Sequence, residues 1–263
     1  MNPSPPSTTA DWTAPLRDQL AQLHHLGLAR SLTPSPPSGH FSHNDYLGLA
    51  RHPAPAEAAA RVLHQVGIGA RAARLLGGHS PHHAQLEQQL ADFKQTQAAL
   101  LFPSGYMAAL GTIPPLVGAN DFVLLDRLAH ACLFDAARLS GATLRIFDHN
   151  DLDHAQTLLQ TLRARHPPST RILLVTESLF SMDGDLAPLT SLADLKDRYG
   201  AWLLVDEAHA TGVFGPQGRG LIAASGLTDR IEIQLGTLSK ALGNVGGFIA
   251  GPTDLIQLLL HRA

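Results

Sequence analysis

Seven short apolar runs, at residues 98–102, 122–126, 144–147, 172–176, 202–206, 231–235 and 247–250, constrain this chain more than any other feature. Most are apolar at nearly every position, so both faces of such a run must be buried. Most of the gaps between them exceed fifteen residues, which is long enough for a crossover helix. Buried strands alternating with helices predict an α/β layered domain with a mainly parallel seven-stranded sheet. Helices are readable in the gaps. Ser80-Pro81 is a start signal, with Leu86, Leu90 and Phe93 on one face, and Leu192, Leu195 and Tyr199 form a stripe that stops at Gly200. Upstream, Leu16, Leu20, Leu23 and Leu26 predict an amphipathic helix within residues 11–30. It lies between a Pro/Ser/Thr-rich tail at 1–10, read as disordered, and a proline-rich connection at 33–39. The expected organisation is tail, helix and linker over residues 1–40, then one large domain over 41–263.

Composition excludes several classes. Nineteen basic against 22 acidic residues give a net charge of −3, with no footprint for nucleic acid or an anionic membrane surface. No stretch approaches the ~18 apolar residues of a membrane-spanning helix. Cys132 is the only cysteine, so the chain can form no internal disulfide, in keeping with a reducing compartment. The first ten residues lack the cationic start and apolar core of a targeting segment. A soluble, cytoplasmic protein is the expectation.

In a parallel α/β sheet, ligands sit at the carboxyl ends of the strands, so the residues after each run carry the candidate chemistry. Asp206-Glu207-Ala208-His209 follows the fifth run, and Gly236-Thr237-Leu238-Ser239-Lys240 follows the sixth. Lys240, in a small-residue loop flanked by hydroxyls, is a candidate Schiff-base lysine, with Thr237 and Ser239 as donors to a phosphate. Asp206 is then a candidate partner for a pyridinium nitrogen. Phe102-Pro103-Ser104-Gly105-Tyr106 opens a helix after the first run, and backbone N–H groups at such a start attract phosphate. His130, just past the second run, could stack on a planar cofactor. Each of these residues alone also has an ordinary structural reading: a surface lysine, a capping carboxylate, a helix cap, a core histidine.

Rival chemistries fare worse. Asp206-Glu207-Ala208-His209 also spells a nucleotide-hydrolysis box, but the chain contains no Gly-Lys dipeptide and so no phosphate loop. Neither G-x-S-x-G nor H-E-x-x-H occurs. His79, His82 and His83 have ligand-like spacing but no matching acidic or cysteine partner, so no metal is expected. Gly67-Ile68-Gly69 and Gly215/Gly218/Gly220 read as backbone turns, not dinucleotide fingerprints.

Taken together, the motifs resemble the α-oxoamine synthases, pyridoxal 5'-phosphate (PLP) enzymes of fold type I. The matching pieces run in family order. They include Asn44-Asp45-Tyr46-Leu47-Gly48, Ser104-Gly105-Tyr106, Asp126-Arg127-Leu128-Ala129-His130, His149-Asn150-Asp151, Thr176-Glu177-Ser178-Leu179-Phe180-Ser181-Met182-Asp183-Gly184-Asp185, Asp206-Glu207-Ala208-His209 and Thr237-Leu238-Ser239-Lys240. The resemblance implies that Lys240 binds PLP covalently and serves as the catalytic base, and that Asp206 pairs with the pyridine nitrogen. It further implies that His209 and Ser181 lie near the phenolate oxygen, and that His130 stacks on the ring and touches substrate. Gly105, Tyr106 and Thr237 would hold the phosphate, and Arg30 would meet the acyl substrate. The implied reaction is a decarboxylative condensation of L-alanine with pimeloyl-CoA or a pimeloyl-carrier protein, in a homodimer, as in biotin synthesis. Glycine with acetyl-CoA is the alternative within the family, and a non-catalytic protein of the same fold is the alternative outside it. Ala109 and Cys132 stand where relatives often carry asparagine and serine. The chain stops at His261-Arg262-Ala263, where relatives continue into a C-terminal small domain, so an incomplete chain is the expectation.

Overall fold

Each of the seven apolar runs becomes a strand in the computed structural model, which describes residues 11–32, 34 and 41–263. The expected disordered tail, and nearly all of the proline-rich connection, lie outside the described residues. The chain divides into two units, residues 1–43 and 44–263. In the first, helix α1 spans Ala14–His25, shorter than the expected 11–30. It ends because Gly27 adopts φ +68° and Leu28 N–H bonds back to Leu23 C=O, closing the last turn. No residue of α1 is buried.

The second unit begins with α2 (Pro53–Val66) and α3 (Pro81–Lys94), then alternates strands and helices. These are β1 (Ala98–Phe102), α4 (Gly105–Leu116), β2 (Phe122–Asp126), α5 (Ala131–Leu139), β3 (Thr143–Phe147), α6 (Leu152–Arg165) and β4 (Ile172–Glu177). The series continues with α7 (Leu189–Tyr199), β5 (Trp202–Asp206), α8 (Leu221–Ala224), β6 (Ile233–Thr237), β7 (Gly247–Gly251) and α9 (Thr253–Arg262). One sheet results, in the order β1-β7-β6-β5-β4-β2-β3. All neighbours pair in parallel except β7, which is antiparallel to both β1 and β6. Residues 238–246 between β6 and β7 are too few for a crossover helix, so β7 must return alongside β6 in the opposite sense.

Two-sided burial follows from the period of two. Val123 and Leu125 of β2 join the core beneath α4, α5 and α9, whereas Phe122 and Leu124 join the one beneath α6 and α7. On β7, Ile249 joins the first core, and Phe248 and Ala250 pack with Leu90 and Ala91 of α3. The sixth run is displaced from its expected place. β6 starts at Ile233, because the side chain of Glu232 turns aside to accept Leu203 N–H (2.9 Å) and pair with Lys196. Thr237 is therefore the last residue of the strand, not the start of a loop. The Ser80 start signal and the Gly200 stop fall at the ends of α3 and α7 as expected. Gly215, Gly218 and Gly220 all take positive φ in a tight turn, as read. Among the described residues no helix is long and apolar enough to cross a membrane.

Candidate active site

The parallel strands β2, β4, β5 and β6 end in Asp126, Glu177, Asp206 and Thr237, all buried. Beyond these ends lies a cavity of about 200 Å³ whose wall includes Gly105, Tyr106, His130, Glu177, Asp206, His209, Thr237 and Lys240. The cavity brings together all the expected site residues except two. Ser181 is exposed, in a hairpin over residues 178–187, and does not line it; Arg30 belongs to the first unit and is exposed there.

Lys240 and His209 meet at the mouth of β6 and β5, with Nζ 2.6 Å from His209 Nε2. Among the described residues no carboxylate pairs with Lys240. Burial holds its ammonium below the usual lysine range. Burial first, then the charges of Lys240 and His130, push His209 down to about 4, so it is neutral near pH 7. Its Nδ1 lies 2.7 Å from the Tyr46 hydroxyl, which also donates to Asn44 Oδ1 (3.1 Å). A neutral imidazole between a phenol and an amine can accept a proton from one and donate to the other.

Asp206 and Glu177 sit opposite one another in the β4–β5 register. Burial raises both carboxyls, Glu177 to about 8. Asp206 Oδ1 accepts Ala208 N–H (2.8 Å), and Glu177 Oε1 accepts the backbone N–H of His130 (2.6 Å). Two buried carboxyls over one cavity resist double ionisation, so one of them keeps its proton near neutral pH. Glu177 and Tyr46 lie within the family motifs without a role legible in the sequence, although the strand-end position is a signal for Glu177.

His130 caps α5. Its Nδ1 accepts Cys132 N–H at 3.2 Å and lies 3.0 Å from Sγ. Burial pushes that thiol up to about 12, so it stays protonated. Ser104 caps α4 by accepting Met107 N–H at 3.1 Å, which leaves the N–H groups of Gly105 and Tyr106 at the helix start. Thr237 Oγ1 lies beside them, 2.7 Å from Ser239 Oγ. The approach is close enough that a Cβ on Gly247 would fall 2.5 Å from Gly105 N. Beneath the site, Lys94 of α3 forms a fully buried ion pair with Glu207 and also donates to Arg219 C=O. Ile222 N–H donates to the second oxygen of Glu207 at 2.9 Å, and a Cβ on Gly220 would strike the same carboxylate.

Residues 40–263 match the sequence model of the class I and II aminotransferases. The chain is 50% identical over 224 residues to 8-amino-7-oxononanoate synthase of Alkalilimnicola ehrlichii, covering 85% of this chain and 56% of that protein. It is 44% identical to 8-amino-7-oxononanoate synthase of Geobacter sulfurreducens, over 95% of this chain and 66% of the relative. The chain thus spans just under two thirds of the curated relatives it matches. Among solved structures, serine palmitoyltransferase of S. paucimobilis with bound PLP and myriocin superposes with a TM-score of 0.85 at 30% identity, over 95% of this chain and 68% of that one. The 8-amino-7-oxononanoate synthase of Francisella tularensis superposes with a TM-score of 0.69 at 28% identity, over 84% and 60%. With the mainly parallel sheet, the strand-end lysine and a sequence match over most of its length, the chain belongs to the class I and II aminotransferase family.

Proposed function

We propose that this chain carries the PLP site of an α-oxoamine synthase that condenses L-alanine with a pimeloyl thioester to give 8-amino-7-oxononanoate. The observation that carries the reading is Lys240: a half-buried amine with no carboxylate partner among the described residues, 2.6 Å from a neutral His209 and in one cavity with Asp206. The cavity fits PLP on its own chemistry. A half-buried lysine held toward the neutral form is suited to an aldehyde. Two buried carboxyls with raised affinity for protons suit a pyridine nitrogen that is cationic when protonated. The α4 N-terminus beside Thr237 suits a phosphate.

PLP, once bound, supplies an electron sink for a carbanion at the amino-acid Cα. Lys240 would hold the cofactor through Nζ, and its free amine would serve as the base for the Cα proton. His209 Nε2 orients that amine and Tyr46 fixes the ring of His209. Asp206 would be the carboxylate that keeps the ring nitrogen protonated, while Glu177 stays neutral and anchors His130 through its main chain. His130 would stack on the ring and give a proton to the thioester oxygen. By the family resemblance Ser181, which does not line the cavity here, would contact the ring oxygen, and Arg30 would meet the acyl substrate. Thiol and CO2 leave in the course of the condensation. The whole enzyme acts in the cytoplasm as a homodimer; Ile68, Leu75 and Leu76, 70–95% exposed, supply apolar surface for such a contact.

L-alanine and a pimeloyl thioester are preferred to other amino acid and acyl pairs because the curated relatives, 42–50% identical in sequence, carry the name 8-amino-7-oxononanoate synthase. Superposed structures do not separate the two, at 30–32% identity for serine palmitoyltransferases and 28% for the Francisella tularensis synthase. Borohydride reduction of the PLP-treated protein, followed by peptide mapping, tests the cofactor: the label is expected on Lys240, and label elsewhere or none sinks the assignment. A panel of acyl thioesters with L-alanine, glycine and L-serine, run on a full-length relative grafted with this segment, tests the substrate. Turnover confined to glycine with acetyl-CoA would replace alanine and pimeloyl thioester with that pair.

A further inference from the structure

His149-Asn150-Asp151 is left without a task by the proposed chemistry, yet it builds an elaborate corner at the ends of β2 and β3. The His149 ring bridges two carboxylates, with Nδ1 2.9 Å from Asp126 Oδ1 and Nε2 2.7 Å from Asp185 Oδ2. Asp126 is fully buried and also accepts the N–H groups of Leu128 (2.9 Å) and Asn150 (3.0 Å). Asn150 takes φ +55°, a left-handed setting that asparagine tolerates, and its amide donates to Asp185 Oδ2 (2.7 Å) and Leu186 C=O (3.3 Å). The His149 ring also meets Phe180 edge-on, with centroids 4.4 Å apart.

Asp185, Leu186 and Phe180 all belong to one hairpin. Phe180 N–H donates to Asp185 C=O, Ala187 N–H donates to Ser178 C=O, and Leu179 bridges Leu186. Ser181, Met182 and Asp183 at its tip are exposed. The hairpin is thus tied to the sheet corner through His149 and Asn150. A neutral imidazole carries one N–H and can satisfy one carboxylate as donor; only the imidazolium donates to both.

We propose that His149, as an imidazolium between Asp126 and Asp185, is a positioning residue that latches the 178–187 hairpin and its Ser181 to the sheet end, and that the latch loosens as the pH rises. The placing of Ser181 at the cofactor rests on the function proposed above; the latch itself does not. Burial alone would lower the affinity of His149 for its proton, but the hydrogen bonds to Asp126 and Asp185 outweigh it and the net shift is upward. Other charged groups at this corner are engaged elsewhere. Arg127 pairs with Asp148 (2.9 Å), His154 pairs with Asp148 (3.1 Å), Asp151 accepts His154 N–H, and Glu177 accepts His130 N–H. Asp183 lies at the exposed tip.

The test is ring-nitrogen NMR and amide hydrogen exchange on the full chain, with and without PLP, across neutral and alkaline pH. The His149 signal is assigned by its loss in His149→Gln. Both ring nitrogens should be protonated at neutral pH. After correction for intrinsic chemistry, the hairpin amides should exchange about tenfold faster once His149 has lost its proton. In His149→Gln they should exchange fast at every pH, and in Asp185→Asn, at a partly exposed position, the ring should titrate lower. A single protonated ring nitrogen at neutral pH, or a corrected exchange rate flat with pH in the unaltered chain, overturns the latch. Neither readout needs the cofactor. Failure of PLP to label Lys240 would strike the proposed function alone, and a labelled Lys240 with a pH-independent hairpin would strike the latch alone.

Discussion

Two histidines at the same end of one sheet are driven in opposite directions. His209, after β5, is buried against an amine and a phenol, and its proton affinity falls to about 4. His149, after β3, touches a carboxylate through each ring nitrogen, and its affinity rises. Partial burial works against the charge in both places; the partner decides the outcome. One corner is thus kept free of an ion pair to Lys240, as the role proposed for that amine requires. The other is a closed ionic knot that holds backbone in place. The difference separates a surface built for chemistry from one built for position.

The largest effect expected is at the first corner. Lys240→Ala should leave no borohydride-stable adduct and no detectable turnover in a grafted full-length enzyme, while a near-normal melting temperature shows that the fold survives. Residual labelled product at another lysine would mean that the unpaired amine is not the reactive one. Next comes the floor beneath the site. Lys94→Met leaves Glu207 as an uncompensated buried carboxylate, and breaking such a pair costs about 3–5 kcal/mol. Urea unfolding of the variant measures it, and a loss under about 1 kcal/mol would show that Glu207 finds another partner. Asp206→Asn should follow, with the fold and some PLP retained but turnover reduced about 10²–10³-fold, the range found when one preorganised electrostatic contact is removed. Near-normal kcat in the folded variant would remove Asp206 from the ring nitrogen.

The two corners were unequally legible in the sequence. Lys240, Asp206 and His209 follow apolar runs, and the strand-end rule leads to them before any family is named. The frame of the sheet was equally readable, because runs apolar on both faces leave few alternatives. What escaped was pairing between distant elements. The contact of Tyr46 with His209 spans 163 residues, and that of His149 with Asp185 spans 36. Burial and then the charge of Asp206 on the neighbouring strand raise the proton affinity of Glu177, a relation that local pattern does not encode. β6 starts two residues later than the apolar run, a shift that leaves every side chain on its own face, so alternation does not mark the boundary and the pairing of Glu232 with Lys196 does.

A pH series sharpens the contrast. The unfolded histidine titrates near about 6.5, so between that value and about 4 the unfolded chain binds a proton at His209 that the folded chain refuses. Its contribution is present above that range and lost as the pH falls through it. At His149 the sign is opposite: the folded chain holds a proton that the unfolded chain gives up, so the contribution is full below about 6.5 and lost as the pH rises through the elevated value. Denaturant midpoints of His209→Gln and His149→Gln, each subtracted from the unaltered chain across pH, should therefore tilt in opposite directions, by roughly 2–3 kcal/mol for His209. Parallel tilts would mean that one of the two environments has been misread.

The smallest effect expected is at Tyr46, and it asks whether His209 is held neutral by its hydrogen bond or by its surroundings. Tyr46→Phe deletes the 2.7 Å contact to Nδ1 and keeps the ring, so the loss should be near the net worth of one hydrogen bond, about 1 kcal/mol. The forces that lower the proton affinity of His209 are burial and the charges of Lys240 and His130, and none of them resides in the phenol. The acid limb of the stability curve should therefore survive in Tyr46→Phe, shifted down as a whole and unchanged in slope between about pH 4 and 6.5. In a grafted full-length enzyme the same variant should lower kcat by less than about tenfold, because the base remains and only the orientation of its partner is loosened. A limb that vanishes with the hydroxyl would move the cause of the neutral imidazole from burial and charge to the Tyr46 bond.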